Sequence, residues 1–269
     1  TYRYLYTPMA SGGVARPTLL SVDVGNNPAR CRMLIYHKGL EAEVDIKSPA
    51  DYGGTASKEY RALNPQGKIP VLLLPSGDAF FEARVINGYL NDKFASVGPA
   101  VGASTPEDRA LASLINQVHD LYLASPNSSD PAVTANQGAL YKSVEQIDAA
   151  SRAAKLAEID KQLDVLEKLV KGPYAAGESL TEADFALYPT LSCFIAWLLP
   201  TVFGWANPMD DESRRPKLKA WLATVGALPA AQRVKAEVMA GLESWKASGR
   251  LDPIKEQVAA NPQFKWIFP

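Results

Sequence analysis

Cysteine is scarce in this chain: Cys31 and Cys193 are the only two in 269 residues. Two widely separated cysteines exclude a disulfide framework. They suit a reducing compartment, so a cytoplasmic location is expected. An excess of charge of one sign is also missing, since 28 Lys and Arg stand against 29 Asp and Glu. That balance argues against nucleic acid or an acidic membrane surface as the main partner, and neither is expected. No internal repeat or low-complexity tract is present, and no metal site is assigned. Residues 1–17 lack the apolar core behind a basic start that marks a secretory leader, so none is expected. One long uncharged run does occur, Phe185 to Pro208, long enough to raise the question of a membrane span. Pro189 and Pro200 interrupt it, Thr190, Ser192 and Thr201 lie within it, and a helix-start signal precedes it. It reads as a buried core helix and its loop.

With 47% hydrophobic and 21% charged residues, the composition is that of a globular protein of one large or two ordinary domains. Thr18 to Val24 is a β-rich run halted by Asn26-Asn27-Pro28. Ala29 to Lys38 then reads as a helix closed by Gly39. Glu41 to Ile46 alternates polar and apolar residues as a strand does. Val71 to Leu74 is a second apolar strand, Pro75-Ser76-Gly77-Asp78 a turn, and Ala79 to Phe81 a short return strand. Arg84 to Phe94 is a helix. The order β-α-β then β-β-α fits a thioredoxin-like domain.

After a Gly, Pro, Ser and Ala-rich stretch at 96–106, everything reads as helical. The spacing predicts helices over Glu107–Ala124, Val144–Lys171, Pro216–Val225 and Ala230–Trp245. The clearest is Val144–Lys171, where Leu156, Ile159, Leu163, Leu166 and Val170 step by three and four before Gly172-Pro173 ends the helix. Thr181-Glu182-Ala183-Asp184 is a helix-starting capping box ahead of the apolar run. The fold class expected is α/β plus all-α. Its parts are an N-terminal extension at 1–17, a thioredoxin-like domain at 18–95, a linker at 96–106, an all-helical domain at 107–245 and a tail at 246–269.

Asn64-Pro65-Gln66-Gly67-Lys68-Ile69-Pro70-Val71-Leu72, followed by Phe81-Glu82, carries the most information. Proline at the mouth of an apolar strand cannot donate to the sheet ladder. A cis Ile69-Pro70 bond would bend the chain and leave the N–H and C=O of Ile69 facing outward, where an extended peptide can pair with them. This stretch resembles the glutathione-binding signature of the glutathione transferase family. Arg30-Cys31-Arg32, Lys38-Gly39, the Thr181–Asp184 box and Pro216-Lys217-Leu218-Lys219-Ala220-Trp221 extend the resemblance over both domains.

The resemblance implies glutathione as co-substrate, an electrophilic, hydrophobic and aromatic small molecule as its partner, and a dimer, homomeric or with a related chain. It also assigns roles. Ile69, Pro70, Glu82 and the backbone of Ala83 hold the tripeptide, with Lys58 and Lys68 as candidates for its glycyl carboxylate. Gly25 stands where many classes carry a catalytic Ser or Cys. Asn27, with Asn26 as competing donor and Arg30 as an electrostatic helper, is then the candidate to meet the thiol. This pattern is similar to that of bacterial β-etherases and of nu-class enzymes. On the residues alone, Asn27 followed by Pro28 is a helix N-cap, and the two readings of Asn27 are compatible. Ala83 stands where the family has a Ser, so one hydroxyl contact is missing.

His119, Tyr122 and Trp197 are the candidate pocket residues, His119 and Tyr122 on the helix that lines the electrophile site in the family. The tail from Leu251, with Trp266, Ile267 and Phe268, is expected to fold over the pocket. Three activities stay open: aryl ether cleavage, glutathione-dependent disulfide reduction, and a non-catalytic binding role.

Overall fold

The computed structural model describes residues 14–264, apart from 125, 127, 129 and 131. Trp266, Ile267 and Phe268, and with them the expected tail contact, lie outside the described residues. The chain divides into two compact units, with the break between Ala100 and Val101.

The first unit is built on a four-stranded sheet with the order β2-β1-β3-β4. Strands β1 (Thr18–Leu20) and β2 (Asp45–Lys47) run parallel, joined through helix α1 (Asn26–Lys38). Strands β3 (Val71–Leu73) and β4 (Ala79–Phe81) are antiparallel neighbours, and β3 pairs antiparallel with β1. Helix α3 (Ala83–Lys93) follows β4 and packs against α1. This is the β-α-β, β-β-α order expected. The first two strands are shorter than the sequence predicts, because pairing partners end at Leu20 and Lys47. Two elements were missed, a 3₁₀ turn at Pro49–Tyr52 and helix α2 (Lys58–Leu63). Both are too short to show a 3.6-residue period. Leu20, Tyr60, Leu63, Val71 and Leu73 form a core cluster, with Ile69 and Phe81 packed on it.

The segment after α3 is anchored at its start. Gly98 lies so close to the carbonyl of Lys38 that a Cβ would sit 2.2 Å from that oxygen, and its φ of 64° lies in the left-handed region that favours glycine. The buried Lys38 ammonium donates to the carbonyl of Pro99 at 3.2 Å. Burial lowers the pKa of Lys38.

The second unit is helical. Helix α4 (Pro106–Val118) continues as a π-helical turn through His119–Ala124. A 3₁₀ turn spans Asn136–Leu140, and α5 covers Ala149–Leu169. Helix α5 starts five residues later than predicted, because Asp148 caps it by accepting from the Ser151 N–H at 3.0 Å. Next, α6 (Glu182–Pro189), a π-helical turn, α7 (Ala196–Leu198) and a second π-helical turn form one helix, Glu182–Phe203. It is long and apolar enough to cross a membrane, yet 78% of its most apolar window is buried within the protein. That burial agrees with a core helix. Helices α8 (Pro216–Gly226), α9 (Pro229–Ala247) and α10 (Asp252–Ala260) complete the unit.

Asp184 is the organising residue of this unit. It is fully buried and accepts four hydrogen bonds, from the N–H groups of Thr181 and Ala175, the Thr181 hydroxyl and the Trp221 indole, at 2.7–3.0 Å. The capping box read from the sequence is present in full.

Candidate functional site

Register alone gathers the candidate residues of the first unit. Leu20 pairs with Val71, and Val71 with Phe81. The loop leaving β1, the segment entering β3 and the turn leaving β4 therefore emerge at the same end of the sheet. They carry, respectively, Ser21–Asn27, Ile69-Pro70 and Glu82-Ala83.

The Ile69-Pro70 peptide bond is cis. Its approach is held by two side chains: the Tyr60 hydroxyl and the Asn64 amide each donate to the Lys68 carbonyl at 2.8 Å. Among the described residues, neither the N–H nor the C=O of Ile69 makes a backbone hydrogen bond. A donor and an acceptor on one residue, held beside a sheet, can pair with an extended peptide. Lys68 is half-buried, while Lys58 is exposed in the first turn of α2.

Glu82 links β4 to α3 with φ 70° and ψ 114°. Among the described residues it is the sole non-glycine with positive φ. Such a conformation costs about 1–3 kcal/mol and marks places where strain serves function. The side chain makes no capping bond to α3 and is exposed. The strained turn thus leaves a carboxylate in solvent next to the N–H groups that open α3, starting with Ala83. Those N–H groups have no intrahelical acceptor and favour an anion. Carboxylate and N–H donors side by side suit a zwitterion. Ala83 itself is buried, and its carbonyl accepts from the Cys31 thiol at 3.6 Å. Cys31 is therefore a packing residue of α1.

At α1 the structure corrects the sequence. The helix N-cap is Gly25, whose carbonyl accepts from the Ala29 N–H at 3.0 Å. Asn27 is inside the first turn and does not cap, because the chain turns helical already at Asn26. Among the described residues no hydrogen bond engages the half-exposed Asn27 side chain. Asn26 is buried and already engaged, which favours Asn27 as the outward donor. Arg30 is 1% exposed, so it is not a surface residue. Its carbonyl accepts from the buried Asn87 amide of α3 at 3.3 Å.

The sequence reading overlooked Arg32. Its guanidinium is buried and donates to the Ser21 hydroxyl at 2.6 Å and to the carbonyls of Val22 and Asp23 at 2.5 and 3.0 Å. A charged residue flanked by Cys31, Met33, Leu34 and Ile35 was the available signal.

The pocket residues of the second unit behave differently. His119 is fully buried, with Nδ1 2.8 Å from the Asp120 carboxylate and Nε2 2.7 Å from the Thr190 hydroxyl. Both ring nitrogens are spent inside the helical unit, so His119 is a core residue and not a pocket wall. Tyr122 is 49% exposed, and Trp197 is half-buried with the Lys246 ammonium 6.0 Å from its ring centre. Neither of two cavities in the molecule, of about 480 and 360 Å³, is lined by these three residues.

Comparison with known proteins decides the family. Residues 26–93 match the model of the glutathione S-transferase N-terminal domain, and residues 149–224 that of the C-terminal domain. Glutathione S-transferase 3 of Zea mays is 30% identical over 226 residues, spanning 82% of this chain and 93% of that protein. The chain belongs to the glutathione S-transferase family. Glutathione S-transferase F10 of Arabidopsis thaliana is 31% identical over 77% of this chain and 91% of its own. Among solved structures, the β-etherase LigF from Sphingobium sp. strain SYK-6 superposes with a TM-score of 0.63 at 20% identity, covering 82% of this chain and 99% of that one. Transferase F7 from Populus trichocarpa gives 0.61 at 20% identity, with the same coverage. At that identity the likeness is one of fold. Members of the family use glutathione as co-substrate, act with electrophilic partners and typically dimerise. The transferase assignment accounts for a thioredoxin-like unit followed by a helical one.

Proposed function

We propose that this transferase binds glutathione at the end of the sheet where Asn27, Ile69, Glu82 and Ala83 emerge, and directs its sulfur at a hydrophobic aryl ether. The observation that carries the reading is the set of unengaged groups gathered there by register: the Ile69 backbone pair, the Glu82 carboxylate, the N–H groups opening α3 and the Asn27 amide. A γ-glutamyl tripeptide offers the matching partners. Ile69, beside Pro70, pairs with its peptide backbone. Glu82 accepts from its ammonium. The Ala83 N–H donates to its γ-glutamyl carboxylate in place of a side-chain hydroxyl. Lys58 and Lys68 flank this end as cations for the glycyl carboxylate.

Asn27 donates its amide N–H to the sulfur, and the N-terminus of α1 adds its partial positive charge. Both favour thiolate over thiol. In the reaction a carbon–sulfur bond forms as the carbon–oxygen bond breaks, and the electron pair leaves on the aryloxide, which takes its proton from solvent. Catalysis then rests on positioning and on a lowered thiol pKa. The LigF β-etherase neighbour supports the ether reading. The Gly25 and Asn27 pattern supports equally a nu-class type reduction of disulfides, in which a second thiol completes the exchange. We place the protein in the cytoplasm as a dimer.

Retention on immobilised glutathione is the first test, and its absence would support a non-catalytic role. Phenol release from a β-aryl ether is expected to exceed turnover of a small disulfide. The opposite order would assign the protein to the reductases.

A further inference from the structure

We propose that Arg32 is a positioning residue of this transferase: from inside α1 it fixes the loop that delivers Gly25, Asn26 and Asn27. The inference rests on the proposed glutathione site. Three observations carry it. The guanidinium, 2% exposed, donates to three consecutive loop residues, the Ser21 hydroxyl and the Val22 and Asp23 carbonyls, at 2.5–3.0 Å. Among the described residues, Val22, Asp23 and Val24 make no backbone-to-backbone hydrogen bond of their own. Ser21, Val22 and Asp23 also line a cavity of about 360 Å³ with Ile46, Lys47 and Ser48. Sheet pairing stops at Ser21, whose N–H donates to the Lys47 carbonyl at 2.9 Å. Helix begins at Asn26. Between the two, the side chain of Arg32 supplies the order.

The planar guanidinium fork suits this task, since it reaches several acceptors at once from one fixed geometry. A lysine keeps the charge and loses the fork. Arg32 also ties the loop to the same helix whose first turn carries Asn27, so loop and helix N-terminus form one rigid piece. Misplacing a catalytic group by 1 Å costs up to about 100-fold in rate. The expected effect of loosening the loop is on the sulfur, not on tripeptide binding, which Ile69, Glu82 and Ala83 supply from other segments.

The test is Arg32→Lys, with Ser21→Ala as a milder variant that removes one acceptor and leaves the buried cation in place. Circular dichroism checks that each is folded. Amide hydrogen exchange over residues 22–27 should accelerate in both, more in Arg32→Lys. The affinity for glutathione should stay within about threefold, while kcat falls by about 10- to 100-fold. The pKa of the bound thiol, read from thiolate absorbance, should rise. Folded Arg32→Lys with unchanged exchange, kcat and thiol pKa would overturn the proposal. So would Ser21→Ala with wild-type exchange, should Arg32→Lys not fold. Failure of the wild-type protein to bind glutathione would instead overturn the site itself, and the exchange data would still judge whether Arg32 holds the loop.

Discussion

Gly25 has an ordinary extended backbone, with φ −177° and ψ 124°, so freedom of φ does not explain the missing side chain. Space does. A Cβ here would lie 2.8 Å from Cγ of Pro28 and 3.4 Å from a Val22 methyl. The Pro28 ring cannot swing aside as a flexible chain would. Restoring the family's hydroxyl by Gly25→Ser is therefore expected to give no gain in activity and to destabilise the protein by about 1–3 kcal/mol through overpacking. Urea unfolding and kcat on the same preparation check both parts. The proline that closes this position also shaped the sequence reading. Asn27-Pro28 is a local helix-start signal, but which residue caps depends on where the chain leaves β1, and that is set by tertiary contacts. With the cap role removed, Asn27 is free to act. Asn27→Ala should lower kcat by about 10- to 100-fold, the worth of a hydrogen bond to a charged group. Asn26→Ala should affect stability instead. Equal activity of Asn27→Ala and wild type on the true substrate would remove Asn27 from the site.

At the scale of elements, the sequence was readable wherever the signal was local. The Thr181–Asp184 box spans four residues, and both of its hydrogen bonds form as predicted. What Asp184 does beyond the box was not readable, because Ala175 and Trp221 lie 9 and 37 residues away. The same division explains α2. Its six residues show no period, yet they supply Tyr60, and the Asn64 that follows them joins it in holding the Lys68 carbonyl. His119 was misread for a related reason. Helical position suggested a pocket wall, and only the fold reveals Thr190 at its Nε2. Asp184→Ala would strand buried N–H donors of Thr181, Ala175 and Trp221. Loss of a buried acceptor costs about 1–3 kcal/mol for each donor left behind, so a total of at least about 3 kcal/mol is expected. Asp184→Asn, which keeps an oxygen, should cost less. Urea midpoints of the two variants, with m-values to check that unfolding stays cooperative, decide this.

The whole molecule carries almost no net charge at neutral pH, so overall repulsion stays small until many carboxylates protonate, and particular ion pairs decide the first response to acid. The densest group joins α5 to the segment before α8. Arg214 reaches Asp160 at 2.7 Å and Asp164 at 2.6 Å, and the buried Arg215 reaches the same two carboxylates at 2.6 and 2.9 Å. Burial would raise the pKa of Asp164, but the hydrogen bond from Arg214 and the charge of Arg215 outweigh it and hold the carboxyl below its usual value. A carboxyl depressed in the folded state contributes stability above its unfolded pKa of about 4. That contribution is lost as pH falls through the lower folded value. The urea midpoint should therefore change little through Asp164 between neutrality and pH of about 4, then fall. Asp164→Asn removes the titrating group while leaving a partner of the same shape. It should lower the midpoint at neutral pH and flatten the fall below about pH 4. Because Asp164 is 37% exposed, salt should weaken the difference at neutral pH, as screening acts on the accessible member of the pair. An Asp164→Asn profile parallel to wild type through the acid range would show that this network does not set the acid limit of the fold.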